Sequence, residues 1–276
     1  MVELNELIQH AREMKPLPAS AIRLAALINS PHVDLNDVAD IIDYDQALTM
    51  RLLRAANSAA VGGSERLTRA SEAVFRLGLP RVLSLAIASS VRDPFQRDVA
   101  AYGLAEGELW RHSVATAAAA ETLFEVARCD LPSETFTAAL LHDIGKLVMG
   151  RHLSTEDLEW IHRARIDGGL SALEAERQIL DVHHGELGGI IAQHWEMPER
   201  VVKAIIYHHT PTDGFDVICD AVNLANLVAK SIAGAPLPTP AAESLERLGI
   251  TADELEPLVA TTQKRFQDIS ARYNAV

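Results

Sequence analysis

The 276-residue sequence predicts an all-α protein, because one stretch after another repeats its apolar residues with the period of a helix. No stretch alternates for long in the manner of a strand, and aromatic residues make up only 5% of the chain. Apolar residues reach 48%, which is enough for a sizeable core. Capping-box patterns at Ser171–Glu174 and Thr251–Glu254 mark where two of the later helices begin.

The helical stretches are separated by recognisable breaks. SAIRLAALINS, LNDVADIIDYD and QALTMRLLRAANS follow one another, and the glycines of VGGSERLT then predict a loop. EAVFRLGLPRVLSLAIASSV resumes the helical period, with Gly78 and Pro80 marking a break inside it. GAPLPTP predicts a linker before a C-terminal helical extension. We therefore predict three parts of the chain: N-terminal helices in 1–100, a helical bundle in 101–233, and the linker with the C-terminal extension in 234–276.

The charge balance limits the classes of partner. The chain has 25 Lys and Arg against 38 Asp and Glu, a net charge of −13, which argues against binding to nucleic acid or to an anionic membrane. No apolar run approaches the length of a spanning helix, and the N-terminus lacks the apolar core of a signal peptide. Cys129 and Cys219 form no CxxC pattern and are expected to be reduced thiols. We therefore expect a cytoplasmic protein.

The stretch LLHDIGKLVMG places a histidine and an aspartate inside an apolar run. On one helix from Ser133, Asp143 would follow Leu140 by three residues and precede Leu147 by four, so it would share their buried face. A buried carboxylate is costly unless it is paired or bound to a metal. The sequence therefore predicts either a polar helix end or a site inside the core.

Other histidines pass the same helical-phase test. His112 follows Leu109 by three residues, and Glu108 lies one turn earlier, so both side chains could reach one point. His184 begins an apolar stripe on its own helix. His208 and His209 follow Ile205 by helical steps, at a position where Thr210-Pro211 predicts the end of the helix. Imidazole and carboxylate ligands of this kind suit Fe, Mn, Zn or Ni in a helical bundle. The candidate metal ligands are His112, His142, Asp143, His184, His208 and His209.

These motifs resemble known families. RHS, LLHDIGK, HHGELG and the final HH resemble the HD superfamily of metal-dependent phosphohydrolases, in the order found in the HD-GYP cyclic-di-GMP phosphodiesterases. PLPASAIRLAALINSP, ADIIDYDQALTMRLLRAANSA and EAVFRLGLPRVLSLA resemble the HDOD domain, an HD-related output domain of bacterial signalling proteins. The resemblance covers roughly residues 14 to 230. It implies an N-terminal helical subdomain packed on an HD-like bundle, with the six candidate residues facing a metal and Glu108 as an additional ligand.

The sequence also departs from the enzymes of the superfamily. Asn226, in VNLANLVA, stands where HD enzymes carry a late aspartate, and a neutral amide oxygen holds a metal more weakly than a carboxylate. Asp220 lies six residues earlier, about 240° round the helix, and cannot replace it. Thr210 and the residues after it stand in place of GYP. Lys146 could contact a phosphate or could be a solvated lysine late in a helix.

Two hypotheses follow from these residues. The first is a bacterial signal-transduction module, a regulatory output domain of HDOD type that acts by protein–protein interaction with signalling partners and has a degenerate metal site. The second is a metal-dependent phosphohydrolase acting on a nucleotide or a cyclic dinucleotide, with one or two divalent ions. Asn226 and the absence of GYP favour the module over an efficient enzyme.

Overall fold

Helices form the regular structure of the chain in the computed structural model, which describes residues 2–28, 33–57, 67–97, 99 and 102–274. Within these ranges the only extended pairing is a single bridge between Val99 and Leu104. The all-α prediction is therefore confirmed. The predicted loop VGGSERLT lies mostly outside the described residues.

Five helices of the first hundred residues pack mainly against one another. Their apolar faces meet in a core that includes Leu24, Ile42 and Leu52, all fully buried. Gly78 adopts a positive φ of 77° and ends one helix just before the next begins, as its sequence predicts. These helices are α2 (Ala19–Ile28), α3 (Leu35–Asp43), α4 (Gln46–Ala56), α5 (Ala70–Leu77) and α6 (Leu79–Gln96).

The helices that follow form a second bundle around a long alanine-rich helix, α7 (Glu108–Val126). The run of small side chains in ATAAAAET lets α7 pack closely against α8 (Thr135–Leu141), α15 (Val217–Ile232) and α17 (Leu255–Asn274). The other helices are α8 (Thr135–Leu141), α9 (Lys146–His152), α10 (Thr155–Ile166), α11 (Ala172–Leu180), α12 (His184–His194), α13 (Glu199–Tyr207), α14 (Pro211–Gly214) and α15 (Val217–Ile232).

The first helix, α1 (Leu4–Arg12), packs mainly against α12 and α9 of the second bundle. Leu7 and Ala11 are buried in its contacts with α12 and α9. The ring of His10 stacks on that of His152, with centroids 3.5 Å apart. The predicted division of the chain at residue 100 stays a prediction. By sequence α1 belongs to the part before residue 100, but it packs against helices of the part after it.

The C-terminal helices α16 (Ala242–Leu248) and α17 (Leu255–Asn274) follow a non-helical stretch that contains the predicted linker. The predicted capping boxes are present, and the one at Thr251 opens a short 3-10 turn before α17. Asp220 is fully buried and accepts hydrogen bonds from Ser244 and Arg247. This aspartate therefore anchors α16 on α15.

Candidate metal centre

The histidine–aspartate pair lies in a tight turn between α8 and α9, so the single continuous helix predicted from Ser133 is wrong. The Ile144 N–H donates to the carbonyl of Leu141, and the Lys146 N–H donates to that of Asp143, in an i to i+3 pattern. Gly145 allows this turn to contact α12, because a Cβ at Gly145 would overlap the carbonyl oxygen of His184. His142 and Asp143 are nevertheless both buried, so their predicted inward orientation is confirmed.

The carboxylate of Asp143 lies between two groups of imidazoles. Its Oδ1 atom lies 3.4 Å from Nε2 of His184 and 3.7 Å from Nε2 of His208, and His209 completes this group. Its Oδ2 atom lies 3.3 Å from Nε2 of His142 and 3.6 Å from Nε2 of His112. The structure thus brings all six predicted ligands to one place.

Hydrogen bonds on the far side of three rings fix how these histidines are protonated. The Nδ1 atoms of His142 and His208 lie 2.8 and 2.7 Å from the carbonyl oxygens of Ala139 and Ile205. A carbonyl oxygen can only accept, so each Nδ1 carries the hydrogen, and a neutral ring then has a lone pair on Nε2. In His184, Nδ1 lies 2.7 Å from a carboxylate oxygen of Glu176, with the same consequence.

Burial keeps several of the rings uncharged. It lowers the pKa of His112 to about 3 and that of His209 to about 2, and it lowers the pKa of His208 well below its usual range. Burial also acts to raise the pKa of Asp143, but its proximity to His142 and to the ammonium group of Lys146 outweighs burial and keeps that pKa well below its usual range. An ionised carboxylate therefore faces several uncharged imidazoles, an arrangement that can bind a cation.

The spacing of the ligand atoms fits a metal ion. The Nε2 atom of His184 lies 3.4 Å from that of His208 and 3.1 Å from that of His209, and those of His112 and His142 are 3.3 Å apart. Nitrogen ligands on one tetrahedral ion lie about 3.3 Å apart, given metal–nitrogen bonds of about 2.0–2.1 Å. Among the residues that the structure describes, none forms a hydrogen bond with the buried Oδ1 atom of Asp143, so this atom is available to bind a cation. These residues can hold a divalent metal.

Two of the additional candidates lie elsewhere than their patterns suggested. Glu108 is exposed, and its carboxylate accepts the N–H of Ala105 at 2.8 Å, because it is the first residue of α7 and satisfies a backbone donor ahead of that helix. The structure does not bring it to the cluster. Lys146 is not a solvated surface lysine, since its side chain is 17% exposed and its Nζ lies 2.7 Å from Oδ2 of Asp143.

Polar residues of α15 face the same cluster. The Asn223 side chain donates to the carbonyl of His208 at 2.7 Å. Asn226, one turn later, is buried, and its Oδ1 atom has no hydrogen-bond partner. Burial lowers the pKa of Lys230, while the charge of Asp143 acts in the opposite direction. Residues three to four apart share one helix face, so this face brings Asn226 towards the metal centre.

Sequence reasoning missed two residues of the centre, Glu176 and Tyr102. Glu176 is buried on α11 and accepts hydrogen bonds from both His184 and the Tyr102 hydroxyl. The phase test could have found Glu176, because it lies four residues after Ala172 and four before the buried Leu180. Tyr102 carries no such signal, because it lies in a connection between helices.

The fold and the cluster together define a class of protein, an all-α HD-like bundle with a helical subdomain before it and a histidine–aspartate centre inside it. The model of the HDOD domain family matches residues 14–211. The chain belongs to the HDOD family.

Relatives extend this assignment. A protein of unknown character from Treponema pallidum is 26% identical over 235 residues, which are 80% of this chain and 43% of the relative. The chain therefore spans less than half of that relative. A crystal structure from Shewanella amazonensis, provisionally described as a phosphohydrolase, superposes with a TM-score of 0.70 at 23% identity, over 95% of this chain and 97% of that one. A crystal structure from Marinobacter aquaeolei, provisionally described as a signal transduction protein, superposes with a TM-score of 0.75 at 20% identity, over 99% of this chain and 61% of that one.

These similarities in structure establish the fold alone. None of the helices described for this chain combines the length and the apolar character that crossing a bilayer requires.

Proposed function

We propose that the chain is a cytoplasmic regulatory output module of bacterial signalling that docks partner proteins and holds a divalent metal without efficient catalysis. Membership of the HDOD family and the likeness to a structure described as a signal transduction protein support the regulatory role. The metal would stabilise the bundle where α7, α12 and the segments that follow α8 and α13 meet, since these carry the ligands.

One observation carries the proposal, namely the unequal surroundings of the two oxygens of Asp143. Oδ1 has no hydrogen-bond partner and faces the group of His184, His208 and His209. Oδ2, on the side of His112 and His142, already has the ammonium group of Lys146 at 2.7 Å. A cationic side chain at Oδ2 weakens the case for a second ion on that side. This asymmetry favours one tightly held metal over a catalytic pair.

Exposed apolar side chains on the N-terminal helices support a docking role. Phe75 is 81% exposed, and Tyr44 on the neighbouring α3–α4 turn is 93% exposed. Phe75 also lines an open groove, together with Val33, Asp34, Leu35, Asn36 and Ser71. Exposed apolar patches are typical of protein-binding surfaces.

The second candidate is a metal-dependent phosphohydrolase. It is favoured by the position of the Asp143 carboxylate, which lies between both ligand groups as in sites where one carboxylate bridges two ions. Metal ions in such a site polarise a phosphoryl oxygen. In this chain, His112 and Lys146, both partly exposed, would border the opening through which a phosphate could enter.

A combined assay of metal content and hydrolysis tests the proposal. We expect about one metal per chain in protein purified without chelator and without a nickel column, and loss of that metal in His184→Ala. His194→Ala provides the matched control, because His194 is exposed on the same helix. Turnover of cyclic dinucleotides and phosphomonoesters, with Mn²⁺ or Fe²⁺ supplied, should stay far below about 1 s⁻¹.

Two results would contradict the proposal. Turnover near about 1 s⁻¹ that Asp143→Ala abolishes would establish the phosphohydrolase instead. If wild-type protein contained no metal, and added Zn²⁺ or Mn²⁺ left its thermal unfolding unchanged, the proposed metal centre would be wrong.

The docking surface has its own test. A partner that co-purifies with the wild type and with Phe124→Ser should be lost in Phe75→Ser; Phe124 is a half-exposed phenylalanine on α7.

A further inference from the structure

The metal centre is connected by hydrogen bonds to the segment that joins the two halves of the chain. Glu176 is 1% exposed and uses both of its carboxylate oxygens. Its Oε2 atom accepts from the backbone N–H of His184 at 2.8 Å and lies 2.7 Å from that residue's Nδ1. Its Oε1 atom accepts from the hydroxyl of Tyr102 at 2.8 Å.

This arrangement fixes the direction in which His184 faces. Since Nδ1 faces Glu176 and donates to it, Nε2 is the ring atom left to bind a metal when the ring is neutral, and it lies 3.4 Å from Oδ1 of Asp143. A carboxylate behind a ligand histidine orients the ring and raises its basicity toward a metal. Glu176 also bonds the first backbone N–H of α12, so it holds both the ring and the start of its helix.

Tyr102 extends this chain of hydrogen bonds out of the bundle. It lies in the crossover between α6 and α7, where its N–H donates to the carbonyl of Val99 and where Val99 and Leu104 pair. The Nζ atom of Lys146 lies 5.3 Å from the centroid of its ring, and the centroid of the His184 ring lies 6.2 Å from it in a nearly perpendicular orientation. Tyr102 therefore contacts residues from both sides of the Asp143 carboxylate.

We propose that Tyr102 and Glu176 are positioning residues for His184, and that they couple metal binding at Asp143 to the crossover between the N-terminal helices and the bundle. This inference rests on the metal binding proposed above. Linkage makes such coupling reciprocal, so a change in the crossover would alter metal affinity, and metal would order the crossover. A partner that docks on the N-terminal helices could then sense the state of the centre.

Titrations with Zn²⁺ and with Co²⁺ as a spectroscopic probe test the proposal. Glu176→Gln keeps the size of the side chain but removes its charge, and we expect it to lower metal affinity about 10- to 100-fold and to change the visible spectrum of bound Co²⁺. Tyr102→Phe removes one hydroxyl and should lower affinity about 2- to 10-fold. In the Glu176→Gln background, Tyr102→Phe should have little further effect, because both act through one chain of hydrogen bonds.

The matched control is Glu156→Gln on α10, which alters an exposed residue and should leave affinity unchanged. Hydrogen exchange gives an independent readout of the coupling. Zn²⁺ should slow exchange of the amides of Tyr102 and Leu104 in the wild type and not in Glu176→Gln. Thermal unfolding in chelator shows which variants fold. If Glu176→Gln does not fold, the metal affinity of Tyr102→Phe tests the positioning role.

The possible failures are distinguishable. If the wild type binds metal and His184→Ala does not, but Glu176→Gln and Tyr102→Phe bind with unchanged affinity and an unchanged Co²⁺ spectrum, the positioning role is overturned and the metal centre stands. If the effects of Glu176→Gln and Tyr102→Phe on the free energy of metal binding were fully additive in the double variant, the coupling through Glu176 would be overturned. If the wild type binds no more metal than His184→Ala, the metal centre fails and this inference fails with it.

Discussion

Lys146 supplies a positive charge that a metal ion could also supply. Its ammonium group is 2.7 Å from Oδ2 of Asp143, a carboxylate that is almost fully buried. Without metal, this lysine is the side chain that most directly offsets the cost of burying that charge. A residue that substitutes for a cation should matter most when the cation is missing.

We therefore expect Lys146→Met to lower the free energy of unfolding in chelator by about 1–3 kcal/mol, because the buried carboxylate loses its nearest charge partner. Added Zn²⁺ should restore much of this loss, since the ion then faces the same carboxylate. Urea denaturation with and without metal measures both effects, and Lys264→Met, at an exposed position of α17, is the control. A loss that metal does not reduce would mean that Lys146 stabilises the fold in another way.

Asn226 is the second residue on which the behaviour of the centre depends. Its Oδ1 atom is buried without a hydrogen-bond partner, on the same face of α15 as Asn223, which bonds to His208. Asn226→Asp is nearly isosteric and adds a negative charge and a stronger oxygen ligand. We expect tighter binding of Mn²⁺ or Zn²⁺ in titration calorimetry, with the exposed Asn36→Asp as control. Equal affinity in the two variants would show that Asn226 is not at a ligand position.

At the scale of elements, the centre depends on the close contact between the turn before α9 and the start of α12. A Cβ at Gly145 would overlap the backbone of His184, and one at Gly188 would lie 2.8 Å from a side-chain carbon of Ile205. Glycine at these positions lets the Asp143 turn and the His184 helix approach until their ligands share one point.

Gly145→Ala should therefore cost about 1–3 kcal/mol or more in stability and should also lower metal affinity, because α12 would have to move away from the turn. Gly189→Ala on the same helix is the control. Its Cβ would meet the side chain of the half-buried Ile206, which can shift, and not a backbone atom. Denaturation and Zn²⁺ titration of both variants test this expectation. It would be contradicted if Gly145→Ala cost no more than Gly189→Ala.

At the scale of the whole molecule, the C-terminal helices are fastened to the metal-bearing bundle by long-range pairs. Arg128, just after α7, forms a bidentate ion pair with Glu254 and also donates to the carbonyl of Gly249. The hydrogen bond from Arg128 holds the pKa of Glu254 at about 2, below its ordinary value of 4.5. The folded state therefore favours the ionised carboxylate.

The sign of the resulting pH dependence follows from this direction. A carboxyl group with a depressed pKa contributes stability that is present above pH 4.5 and is lost as the pH falls toward about 2. Glu254→Gln should therefore melt below the wild type at neutral pH, and this difference should shrink at about pH 3. Glu256→Gln, at an exposed position of α17, should show no such pH-dependent difference. A constant difference for Glu254→Gln would contradict the assigned ion pair.

Much of this architecture could be predicted from local patterns. Helical periodicity predicted an all-α chain, the Gly78 break and both capping boxes, because these features depend on residues within a turn or two of each other. The same periodicity predicted that His142 and Asp143 face the core. The family resemblance then supplied the set of six candidate ligands, and the structure brings these together.

The tertiary structure decided what local patterns could not express. The helix predicted through the HD pair is interrupted by a turn at residues 142–145, and α12, nearly forty residues later, packs against this turn at Gly145. Glu108 is not part of the cluster, because its carboxylate accepts a hydrogen bond from the backbone N–H of Ala105 ahead of α7. Tyr102 and Glu176 meet across 74 residues, because tertiary packing places them within reach of each other. Sequence by itself determined which residues face inward, since that needs only the period of a helix; which of them meet depends on distances between helices, which only the folded chain sets.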